Sequence, residues 1–147
     1  MSESGELTYR RVHDAPPELL FDCMTQPAHL THFWGPTGTT TPLDGIVVDL
    51  RPGGAFETTM VNDGDGSSYT MRATYVEVDR PRRLVWIDAE SRGGMKTTVT
   101  FNPFGDGHTE VVTHQTNVPA AFLAAQAQAG FKTSLDRFAA YIERGTP

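Results

Sequence analysis

The chain of 147 residues has a single cysteine, Cys23, so no disulfide can form within it. That excludes a small scaffold stapled by disulfides and suits a reducing compartment. A basic surplus is also missing: 12 Lys and Arg stand against 18 Asp and Glu, a formal charge of −6. Such a balance argues against nucleic acid or an anionic membrane surface as partner. No apolar run approaches the roughly 20 residues that a membrane-spanning helix needs. The opening Met-Ser-Glu-Ser-Gly-Glu lacks the basic-then-apolar layout of a secretory signal. The expected location is therefore the cytoplasm.

Motifs that announce chemistry are equally scarce. There is no Gly-x-Ser-x-Gly and no dinucleotide fingerprint, and Pro52-Gly-Gly54 is not followed by the Lys-Ser/Thr of a phosphate loop. His29 and His32 lie three apart near Cys23, but a metal site needs a fuller ligand set, so they read as surface histidines. Asp63-Gly-Asp-Gly66 lacks the remaining ligands and late Glu of a calcium loop and reads as a solvated hairpin turn. Cys23 has no evident base partner and reads as an inert buried thiol. No metal, cofactor or catalytic residue is assigned.

What is present is pattern. Residues 1–6 form a polar tail, and one domain runs from 7 to 147. Leu7 to Val12 alternates like a strand, and Asp14-Ala-Pro-Pro17 opens a helix over about 17–24, with Asp14 near its N-cap. A second short helical turn spans Pro27 to Phe33. Strands follow near 44–51, 55–62, 67–79, 83–90, 95–103 and 108–116. They are separated by Pro52-Gly-Gly54, Asp63-Gly-Asp-Gly66, Asp79-Arg-Pro81, Arg92-Gly-Gly94 and Gly105-Asp-Gly107. Such short connections imply antiparallel pairing. Pro119 to Glu143 reads as one long helix with Gly145 at its stop. The fold class is α+β, a curved antiparallel sheet of about seven strands around that helix.

Alternation sets the inward side chains: Phe56, Thr58 and Met60; Met71, Ala73 and Tyr75; Leu84 and Trp86; Val99 and Phe101; Val111, Thr113 and Gln115. His114 then points away from the helix. Asp88 shares the parity of Trp86 but sits at a strand end, beyond the expected cover of the sheet. If inside, it needs a partner or a raised pKa. In the long helix Phe131, Leu135, Phe138 and Ile142 form a buried stripe, whereas the preceding half is alanine-rich and contains Gly130. Small side chains there leave space. A dry void of about 300 Å³ would cost on the order of 7 kcal/mol, so such a space is expected to hold water or a ligand.

The motifs Ala15-Pro-Pro17, Phe33-Trp-Gly-Pro36, Asp49-Leu-Arg-Pro-Gly-Gly54, Glu77-Val-Asp-Arg-Pro-Arg-Arg-Leu84, Thr98-Val-Thr-Phe101 and Gly130-Phe-x-x-Ser-Leu-Asp-Arg137 occur in this order. In them the chain resembles homologues of the activator of heat-shock protein 90 ATPase, within the START-like (SRPBCC, Bet v 1-like) superfamily. The resemblance covers about residues 7–143 and implies a helix-grip fold with a cavity for an apolar or amphipathic small molecule. It puts Trp34 near the cavity mouth. The family often has Trp where this chain has Phe131, so ligand identity does not carry over. Direct chaperone activation is not expected of a lone domain. The expected ligand-binding set is Trp34, Phe56, Thr58, Met60, Met71, Tyr75, Trp86, Phe101, Thr113, Gln115, Phe122, Gln126 and Gly130. An enzyme of cyclase, dehydratase or hydrolase type is the alternative, drawing on Tyr75, Asp88, Thr113 and Gln115. A protein-interaction module or homodimer is the third, with no surface identified.

Overall fold

The structure, a computed structural model, describes residues 5–89 and 94–144. Strand β1 (Gly5–His13) leads into helices α1 (Pro17–Thr25) and α2 (Pro27–Leu30). A meander follows: β2 (Thr39–Thr40), β3 (Ile46–Val48), β4 (Ala55–Asn62), β5 (Ser68–Asp79), β6 (Arg83–Asp88), β7 (Lys96–Pro103) and β8 (Thr109–Val118). The chain then forms α3 (Ala120–Leu123) and α4 (Ala125–Glu143). The sheet is antiparallel with order β1-β8-β7-β6-β5-β4-β2, and β3 also pairs β4. It curves around α4 without closing, the helix-grip arrangement. The eighth strand is the two-residue β2, which with β3 makes one interrupted edge along β4.

Several boundaries differ from the sequence expectation. Gly5 and Glu6 belong to β1 rather than to a tail, and residues 1–4 lie outside the described residues. Part of the Arg92-Gly-Gly94 turn, residue 90 of the expected 83–90 strand and the Gly145 stop also lie outside them. Pro16 occupies the α1 N-cap with Pro17 at the first helical position. Asp14 caps nothing: it is exposed and faces His108 at 3.6 Å.

The expected single C-terminal helix is broken. Ala124 is extended (φ −62°, ψ 144°), so one turn of helix precedes the main rod. Alanines favour helix locally but offer no side chain to hold a rod straight. The apolar pair before the break finds its own packing. Leu123 lies so close to Gly5 that a Cβ there would sit 2.8 Å from its Cδ1, which pins α3 against the start of β1.

The Asp49–Gly54 turn fixes the β3–β4 end of the sheet. Gly53 has φ +86°, and a Cβ on Gly54 would collide with the Asp49 carbonyl oxygen. Gly53 N–H donates to Tyr75 O (2.8 Å), and Tyr75 N–H donates to Gly54 O (2.9 Å). The β5–β6 register shifts between Tyr75 and Glu77 at the same place. Beneath this lock Tyr75 stacks on Phe56 with centroids 5.3 Å apart, and Phe56 meets Trp86 edge-on at 5.1 Å. The sharp bend thus buttresses a solid aromatic block.

Candidate functional site

Beside that block the interior is hollow. A cavity of about 630 Å³ lies between the inner sheet face, α3, the first half of α4 and the segment from Phe33 to Pro36. At Gly130 the helix stands clear of the sheet: a Cβ built there meets nothing within 4 Å. Further along, α4 packs tightly through Phe138, Tyr141 and Ile142. The mouth segment is tied to the helix. The Arg137 guanidinium donates to the carbonyls of Gly35 (2.8 Å) and Pro36 (2.9 Å), and Thr37 N–H donates to Thr133 Oγ1 (3.0 Å). Gly35 sits at φ +97°, and a Cβ there would press on Thr39 and Met60.

The wall is mainly aromatic and aliphatic, with Trp34, Trp86, Met71, Val99, Phe122 and Phe131 among its residues. Polar groups stud it sparsely. Asp88 is only 4 % exposed and is the one carboxylate lining the cavity among the described residues. Its Oδ1 is buried without a hydrogen-bond partner, and desolvation pushes the carboxyl up to about 6. Thr97 Oγ1 and the Tyr9 hydroxyl are likewise buried and unpartnered. Burial raises the Tyr9 phenol, whose ring lies 4.9 Å from Phe131. At the other end, burial and then the nearby Arg11 charge lower the His13 pKa. Arg11 itself is engaged by Asp136 at 2.8 Å.

Sheet register orders these groups. Trp86 pairs with Thr97, Thr97 with Gln115 and Gln115 with Leu7, a row across four strands. Asp88 lies two residues beyond Trp86 on the same face, where its N–H donates to Met95 O (2.9 Å). Val99, Thr113 and Tyr9 form the next row inward, followed by Phe101, Val111 and Arg11. Asp88 and Thr97 therefore share one corner, and Arg11 and His13 the opposite one.

Of the thirteen expected site residues, Trp34, Met60, Met71, Trp86, Thr113, Gln115, Phe122 and Gly130 line the cavity. Five do not. Phe56 and Tyr75 are consumed by the aromatic block, and Thr58 accepts the Trp34 indole N–H at 3.0 Å. Phe101 packs edge-on beneath Phe21 of α1, centroids 5.5 Å apart. Gln126 is exposed in the first turn of α4, where Ala127, Gly130 and Phe131 are the residues that face the cavity.

Asp88 corrects the sequence reading in the other direction, being inside the covered sheet. β1 contributes as well, beyond the expected set: Leu7, Tyr9, Arg11 and His13 all line the cavity. Their spacing of two was legible, but Arg11 and Val12 carry the reverse of the expected polarity, with Val12 on the outside. Other expectations sit where they were placed. His114 lies on the outer side against Thr8 (3.0 Å) and Glu6 (3.5 Å). Cys23 is buried, and desolvation pushes its thiol to about 11. His29 and His32 are not idle surface: His29 Nδ1 lies 2.6 Å from the Tyr141 hydroxyl, and His32 stacks on that ring. No cluster of three metal-ligating side chains occurs among the described residues, and none of their helices is long and apolar enough to cross a membrane.

Solved structures share this architecture. A protein from Chromobacterium violaceum matches with TM-score 0.82 at 25% identity, over 92% of this chain and 96% of its own. An AHSA1-like protein from Aeromonas hydrophila matches with TM-score 0.82 at 22% identity, over 96% and 94%. CalU16 from Micromonospora echinospora is more distant, with TM-score 0.66 at 18% identity over 95% and 76%. No curated protein matches the sequence. The family described as activator of Hsp90 ATPase homolog 1-like protein matches residues 14–143, nearly the whole cavity-bearing domain, and the chain belongs to that family.

Proposed function

We propose that this protein binds an apolar or amphipathic small molecule in the cavity between the sheet and α4. The observation that carries the reading is the hollow itself. At about 24 cal/mol per Å³, a dry void of about 630 Å³ would cost about 15 kcal/mol, as much as the whole stability of a typical domain. It therefore holds solvent or a ligand. A largely apolar wall with a few fixed polar atoms is the composition of small-molecule pockets, and replacing cavity water by an apolar body removes that wall from solvent. Native mass spectrometry of freshly purified protein tests this, with thermal-shift screening of lipids, aromatic polyketide-like compounds and flavonoids. A binding protein rises in melting temperature with ligand as RT ln(1 + [L]/Kd) requires. A melting temperature unmoved across all three classes would remove the proposal.

Catalysis in the same cavity is the second reading, and Asp88 is the observation behind it. A carboxyl held near 6 suits a general acid or base. Tyr75 drops out of that alternative, since it is packed away from the hollow. Turnover of a bound compound that Asp88→Asn abolishes without reducing binding would establish it.

A further inference from the structure

We infer that the ligand is an apolar ring or chain bearing a hydrogen-bond donor, an ammonium or a hydroxyl, and that Asp88 receives this donor at the β6–β7 corner of the cavity. The inference deepens the small-molecule reading above and rests on it. Three observations carry it.

The first is the state of Asp88. It is almost wholly buried, it lines the hollow, and its Oδ1 has no partner. Buried charges are ordinarily paired, and an unpartnered carboxylate is among the costliest groups a fold can retain. The second is the absence of a counter-charge. Among the described residues, the basic side chains lining the cavity are Arg11 and His13, both on β1. They lie three strands across the sheet and several residues along it, and Arg11 is already held by Asp136. A ligand anion at the Asp88 corner would meet like charge and, among the described residues, no compensating cation; a donor meets an acceptor oxygen with a free lone pair. The third is local company. Thr97, on the adjacent strand and 2 % exposed, also presents a buried hydroxyl without a partner, and Gln115 stands next to it across β7–β8. The rest of the nearby wall is Trp86, Met71 and Met95. A polar corner at the edge of a largely apolar chamber suits an amphipathic molecule, and at this corner the sign of Asp88, the only lining carboxylate among the described residues, specifies a donor.

Isothermal titration calorimetry of the intact chain near pH 7.5 with two matched series tests this. One is 1-naphthylmethylamine, 1-naphthalenemethanol and 1-naphthoate; the other is decylamine, decanol and decanoate. In each series the amine and the alcohol are expected to bind about tenfold or more tighter than the carboxylate, the effect of one charge-assisted hydrogen bond. Asp88→Asn should weaken the amine by a similar factor and narrow the spread within each series. A carboxylate that binds as tightly as its amine, or an amine unaffected by Asp88→Asn, would overturn the inference and leave the cavity reading standing. Failure of every probe in both series would overturn the cavity reading as well. Should Asp88→Asn not fold, the wild-type ranking alone decides.

Discussion

The two halves of α4 run on one backbone and do opposite things. From Phe138 to Ile142 the helix is core: Phe138 lies 4.8 Å from Phe33 and 5.1 Å from His13, and Tyr141 is held among Phe33, His29 and His32. From Ala127 to Ser134 the same helix is a roof, with Gly130 open to the space beneath it. The sheet below is divided in the same way, into the Phe56–Tyr75 block and the Met71–Thr113–Gln115 wall.

The strongest way to break this comparison is truncation on the packed half. Ile142→Ala, buried and away from the hollow, should cost about 2–5 kcal/mol in denaturant unfolding, whereas Leu135→Ala, which borders the hollow, should cost markedly less. Equal losses would erase the distinction. Asp88 sharpens it next. Its folded pKa of about 6 lies above the ordinary 3.8, so the folded state holds this proton more tightly than the unfolded one. The contribution favours folding fully below pH 4 and is lost as pH rises through 6. At neutral pH the ionised group therefore costs on the order of 3 kcal/mol. Asp88→Asn should raise the melting temperature of ligand-free protein at pH 7.5 and lose that advantage near pH 4; a gain independent of pH would contradict the burial of this carboxyl. Arg137→Ala should cost about 1–3 kcal/mol, because two buried-side carbonyl partners at the mouth lose a charged donor. Hydrogen exchange of the Gly35 and Thr37 amides should accelerate with it. Smallest is Gly130→Ala: with nothing near the new methyl, helix propensity should stabilise the chain by up to about 1 kcal/mol. A destabilisation would mean that the roof lies closer to the sheet.

The fold was legible because its signals are local. Gly and Asp turns, period-two strands and the Phe131–Ile142 stripe each act over a few residues. The site was legible only in part. Alternation says which face Phe56 and Tyr75 point to, yet both rings fill the aromatic block, and whether an inward residue meets a neighbour or a hollow depends on packing from α1 and α4. Arg11 follows the inward parity of Tyr9 and His13 and meets Asp136, 125 residues away, a partner that no local pattern reveals. For Asp88, strand position alone does not show how far the roof extends, so its burial is not legible in the pattern. Leu123, just before the break at Ala124, packs against Gly5 of β1, likewise a contact that no local pattern reveals.

The chain has two tryptophans, and both border the chamber. The indole N–H of Trp34 is spent on Thr58, so this ring offers a guest no free donor. Its emission and that of Trp86, 6.4 Å away, come from a single locale. The protein thus carries its own optical gauge of occupancy: any molecule entering the hollow displaces solvent beside every indole the chain possesses.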